Sequence, residues 1–108
     1  IVENRNRNIL DKKELDIYIP DLKLAFEYDG TYWHMDSRIY KENDINKVKN
    51  CTAKTLWSME AEKIKICNEL KINCYIITEI DWLCDNENVK SRILNYIKQH
   101  KENIYGKN

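Results

Sequence analysis

Residues Glu14 to His34 read ELDIYIPDLKLAFEYDGTYWH, two strand-like runs joined at Pro20-Asp21, the second ending in Asp29-Gly30. Successive side chains of a strand point to opposite faces, so Glu14, Asp16 and Tyr18 share one side of the first run and Leu15, Ile17 and Ile19 the other. In the second run Leu24, Phe26 and Tyr28 alternate with Ala25, Glu27 and Asp29. Pro20 suits the second position of a turn, and Asp21 follows naturally. A hairpin over 14–29 therefore brings Asp16 towards Glu27 or Asp29. Two readings of these acids stand side by side. They line the wet face of a half-exposed antiparallel pair, or they share a divalent cation whose charge cancels their repulsion. Tyr32-Trp33-His34, directly after the carboxylates, favours the second reading. Gly30 permits a sharp turn that returns His34 towards the strand end.

Downstream, the charged and mixed stretch 36–54 reads as a loop, in which Lys47, Lys49 and Lys54 with Asn50 and Thr52 suit phosphate contacts or a plain solvated surface. Residues 55–70 have helical periodicity. Ser58, Glu62, Lys65 and Glu69 form a polar stripe, while Trp57, Met59, Ala61, Ile64, Ile66, Cys67 and Leu70 spread over a broad apolar arc that implies packing on a sheet. Glu60 and Lys63 fall inside that arc and are expected to be partly buried or snorkelling. Residues 73–79, NCYIITE, favour a strand without alternation, as for one buried on both faces and reached by a right-handed crossover from the helix. A last helix is predicted over 87–100, with Val89, Ile93, Leu94 and Ile97 inward and Asp85 or Asn86 as its cap. Residues 1–13 and 101–108 read as solvated termini. The fold class is α/β: a mixed sheet from an antiparallel hairpin plus a crossover strand, flanked by helices in two or three layers.

A chain of 108 residues, 43% hydrophobic and 33% charged, suits one soluble globular domain. It begins at Ile1 in what reads as continuing structure, and a piece of a longer protein is expected. No apolar run reaches the roughly 20 residues of a membrane span, and no signal-peptide pattern opens the chain, so the expected compartment is the cytoplasm. Eighteen basic residues balance eighteen acidic ones, so any grip on nucleic acid comes from a local patch or another domain rather than from net charge. Cys51, Cys67, Cys74 and Cys84 contain no Cys-x-x-Cys pair, a poor zinc signature; Cys67 and Cys74 read as small core residues.

An aspartate on a first strand, a short turn, a second apolar strand and a Gly-x-aromatic-Trp-His ending run without a gap from Leu15 to His34. This pattern resembles the very-short-patch repair endonucleases and the related phage and homing-endonuclease domains, a branch of the PD-(D/E)xK nuclease superfamily. The resemblance resumes from Glu62 to Trp82, EKIKICNELKINCYIITEIDW, as helix, buried strand and acidic turn, with residues 36–58 an unmatched insertion. It implies a restriction-endonuclease-like core in a prokaryotic or phage-infected cell. Asp16 corresponds to the metal-binding aspartate and His34 to the general base, while Asp29 stands where the repair enzymes carry a second active-site histidine. Thr31 takes the place of a zinc-binding cysteine, so no structural zinc is expected. The superfamily lysine two positions after the second acid is replaced by Asp29, and Lys63 from the helix is the candidate substitute. Glu3 is a weak candidate for the glutamate that relatives carry on an upstream helix.

Asp16, Glu27 and Asp29 are thus the expected metal ligands, with Asp16, Glu27, Asp29, His34 and Lys63 the expected catalytic set, Mg²⁺ or Mn²⁺ the cofactor and double-stranded DNA the substrate. A second copy or a further DNA-binding domain is an expected partner, and a membrane is not. The alternative is a non-catalytic DNA- or protein-binding module that keeps the nuclease fold. The missing strand lysine motivates it.

Overall fold

The computed structural model describes residues 2–6 and 15–106. Glu14 and the polar residues 7–13, read above as part of the first run and of a solvated terminus, lie outside the described residues. Strands β2 (Leu15–Ile19) and β3 (Leu24–Asp29) form the expected hairpin through a single 3₁₀ turn at Pro20–Leu22. Lys23 closes that turn in the left-handed region, φ 51°, its N–H donating to the Pro20 carbonyl. The register sets Ile17 opposite Phe26 and Tyr18 opposite Ala25, so Asp16 and Glu27 are the next residues on facing strands.

Strand β1 (Glu3–Asn6) pairs antiparallel with β2 and corrects the reading of residues 3–6 as a solvated terminus. Its sequence, Glu3-Asn4-Arg5-Asn6, carries no β-branched or aromatic residue, so only the edge of a formed sheet makes it a strand. The segment 36–58 contributes a short second ladder, β4 (Ile45–Asn46) with β5 (Cys51–Thr52). Helix α1 (Ala53–Glu69) begins two residues earlier than predicted, because Thr52 caps it by accepting from the Thr55 N–H at 3.3 Å. Lys54 is accordingly helical rather than part of a loop. Strand β6 (Asn73–Thr78) then pairs parallel with β3 along its whole length, giving the order β1-β2-β3-β6.

Both faces of this sheet are covered. On one side α1 places Cys67 and Ile66 against Tyr18, Ala25 and Cys74. On the other, α3 (Asn86–Tyr105) places Val89, Ile93, Tyr96 and Ile97 against Leu24, Phe26, Tyr75 and Ile77, with Trp82 from α2 (Glu79–Cys84) beside them. The double cover explains why β3 is buried from Leu24 through Glu27, and it takes Glu27 and Asp29 off the wet face of the first reading, while Asp16 is half-buried. Helix α3 is longer than predicted, continuing to Tyr105 through residues read as a tail, and Leu94 faces solvent, not the core. Its cap is Asp85, whose side chain accepts from the Asn88 N–H. In α1, Met59, Ala61 and Leu70 of the predicted apolar arc are also exposed. The inward stripe is narrower: Ala53, Leu56 and Cys67 are buried and Trp57, Glu60, Lys63 and Ile64 half-buried, at helical spacings of three and four. Among the described residues no helix is long and apolar enough to cross a membrane.

Candidate functional site

The ladder between β2 and β3 opens at Asp16, and the two facing carboxylates take over from backbone pairing. Asp16 Oδ2 accepts from the Tyr28 N–H at 2.9 Å, and Glu27 Oε1 accepts from the Asp16 N–H at 3.2 Å. Glu27 is 4% exposed. Its burial pushes its carboxyl pKa up, and Lys63 partly offsets this: the Lys63 ammonium reaches from α1 to Glu27 Oε2 at 2.9 Å. Lys63, the helix lysine singled out in the sequence, thus meets Glu27 on the sheet.

Two residues on, Asp29 closes β3 with its side chain buried and its Oδ1 atom without a hydrogen-bond partner. Burial raises its pKa to about 9, and the contact with Glu60, then the charges of Glu60, Glu27 and Asp16, add to the shift. The turn that follows brings His34 back as expected, through the His34 N–H donating to the Gly30 carbonyl. It does so without the left-handed conformation that would demand glycine at residue 30; Met35, at φ 50°, takes that conformation instead. A Cβ on Gly30 would sit 3.4 Å from Trp33 Cδ1. His34 Nε2 lies 3.5 Å from Asp29 Oδ1. Burial lowers the imidazole pKa below its ordinary 6.5, with Lys49 adding to the effect and Glu60 opposing it, so the ring is neutral at pH 7.

Ligand atoms of Asp29, His34 and Glu60 all lie within 4.8 Å of one another. They line a cleft of about 520 Å³ whose walls include Trp57, Ile64, Ile76, Thr78 and Arg38. Glu60 is the member that the sequence reading did not single out as a site residue. Its signal was present, since an acid in the inward stripe of a helix has no structural use unless it meets a partner. Arg38 stabilises the far rim, donating to Asp36, Asp81 and Thr78 at 2.7–2.9 Å. Glu79, read as part of an acidic turn, accepts from the Thr31 N–H at 2.8 Å and so ties the turn after β3 to α2. Glu3 lies on β1 opposite Tyr18, on a strand rather than a helix.

The segment 36–58 packs beside this turn. Asn46, fully buried, donates to the Tyr32 carbonyl and accepts from the Val48 and Lys49 N–H groups. Trp57 donates from its indole to the Met35 carbonyl at 2.8 Å. Lys49 lies over the half-exposed Trp33 ring at 5.9 Å, at the edge of the site. Comparison of the chain with protein-family models, with known proteins and with solved structures gave no match.

Proposed function

We propose that this chain is a metal-dependent endonuclease domain that hydrolyses phosphodiester bonds of double-stranded DNA, of nicking or homing type, on a restriction-endonuclease-like core. The observation that carries the reading is the 2.9 Å pair between Lys63 and Glu27 inside a face bearing Asp16, Asp29 and His34. Acid and lysine, which the superfamily motif sets on one strand, here come from β3 and α1. The antiparallel β1-β2-β3 run with β6 parallel beyond it supports the same core.

The donor set fits a divalent cation. Asp29 Oδ1 is buried without a hydrogen-bond partner, and the charges of Glu60, Glu27 and Asp16 all act on that side chain. Of the expected ligands Asp16, Glu27 and Asp29, Asp29 belongs to the group of ligand atoms within 4.8 Å of one another, and Asp16 and Glu27 stand beside it; Mg²⁺ or Mn²⁺ held there would polarise the phosphate and acidify a water. His34, kept neutral by burial, accepts the proton of the attacking water on a ring nitrogen. Lys63 stabilises the ionised Glu27 and adds positive charge next to the scissile phosphate. Trp57, Ile64 and Ile76 wall the cleft with apolar surface, which strengthens each of these interactions.

Incubation with supercoiled plasmid and Mg²⁺ or Mn²⁺, with and without chelator, tests the reading. Cleavage that chelator stops and Asp16→Asn abolishes is the expected result. His34→Ala should lower the rate by about 10²–10⁴-fold. Because the base works as free imidazole, wild-type activity should fall as pH drops through the lowered His34 pKa, and the variant should lose that limb. DNA binding without cleavage under every cation condition would instead identify a non-catalytic module.

A further inference from the structure

We propose that Glu60 of α1 and Asp29 of β3 together bind the divalent cation directly, with His34 beside it and not bonded to it. The inference rests on the metal-dependent reading above and adds a ligand from a second element. Glu60 is half-buried on the inward face of α1, between Trp57 one turn before and Ile64 one turn after, and its side chain meets that of Asp29 across the sheet–helix interface. Two acids in contact repel unless a proton or a cation lies between them. Lys63, one turn further along the same helix, pairs with Glu27 and so does not supply that charge.

A second observation points to a ligand independently of the clustering. Asp29 has a side chain 8% exposed, and its Oδ1 has no hydrogen-bond partner while lining the cleft. A buried acceptor left unsatisfied costs about 1–3 kcal/mol, and it is rare unless something absent from the protein fills the gap. Oxygen donors from Asp29 and Glu60 lie within 4.8 Å of each other and of a His34 nitrogen, close enough to share one cation; in the proposal the imidazole meets that cation through a bound water. Carboxylate oxygens suit Mg²⁺ and Mn²⁺, which keep several waters when bound.

The test measures Mn²⁺ binding to the full chain in the absence of DNA, by the loss of free-ion paramagnetic resonance signal. Wild-type protein should take up one Mn²⁺, competed by Mg²⁺. Glu60→Gln and Asp29→Asn should each weaken uptake at least about tenfold, whereas His34→Ala should stay within about threefold of wild type. Glu60→Asp, which keeps the charge on a shorter arm, should fall between, and melting curves of each metal-free variant verify folding. Unchanged uptake by Glu60→Gln, loss of uptake in His34→Ala, or no uptake by wild type would each overturn the inference. Uptake that follows this pattern without any plasmid cleavage would uphold the cation site and sink the nuclease reading. Cleavage by wild type together with full Mn²⁺ uptake by Glu60→Gln would do the reverse.

Discussion

Asp29 shows what one buried acid does to this molecule. Its pKa is raised from 3.8 to about 9, first by burial and then by Glu60. A carboxyl whose folded pKa exceeds its unfolded one binds its proton more tightly when folded. Its contribution to stability is therefore complete below pH 3.8 and is lost as pH rises towards 9, which makes the metal-free protein less stable at pH 8 than at pH 5 on this account. Asparagine is the same size and carries no charge. Asp29→Asn should raise the metal-free melting temperature at pH 8, by about 4–8 °C for each kcal/mol relieved, and flatten its decline between pH 5 and 8. Added Mn²⁺ should stabilise wild type and leave the variant unmoved. Melting curves at both pH values verify this, and a variant that melts lower than wild type at pH 8 would show that Asp29 is held by partners and not strained by them.

At the scale of elements, the hairpin, α1, β6 and α3 were legible because their patterns are local. The alternation of 15–19 and 24–29 and the spacing of Trp57, Ile64 and Cys67 needed no knowledge of neighbours. Strand β1 was illegible for the opposite reason: Glu3-Asn4-Arg5-Asn6 has weak strand preference, and pairing with β2 supplies the missing drive. The site divides in the same way. Asp16, Glu27, Asp29 and His34 lie within one continuous stretch, so the approach of Asp16 to Glu27 and of His34 to Asp29 was visible in the spacing. Glu60 lies 31 positions beyond Asp29, and only the packing of α1 on the sheet brings it there. That packing depends on where α1 starts, and Thr52 sets the start by capping the Thr55 N–H. Thr52→Ala should cost about 0.5–2 kcal/mol, read as a lower melting temperature. A change too small to detect would mean that the helix is held by Leu56 and Cys67 without its cap.

Over the whole molecule, zero formal net charge removes long-range attraction to DNA, so the DNA binding proposed above would have to come from a local arrangement. The segment 36–58 offers one. Lys47 and Lys49 are exposed on it, Lys54 is exposed at the first turn of α1, and Lys49 is close enough to His34 to lower its pKa. Trp33 stands half-exposed under Lys49, and Ile45 and Val48 are more than 60% exposed on the same segment. Each lysine that neutralises a phosphate releases counterions, and the logarithm of the binding constant falls with that of salt by about 0.9 per contact. With these three lysines as the grip, the slope for duplex DNA should be about −3, measured by fluorescence anisotropy in Ca²⁺ to hold the substrate uncut. Lys49→Ala should reduce the slope by about one and weaken binding equally for all sequences, since a phosphate contact reads no base. A slope several times steeper would mean phosphate contacts beyond these three lysines, and would direct attention to a second copy or an attached domain as the source of affinity. A slope near zero would remove DNA from the reading, whatever the metal does.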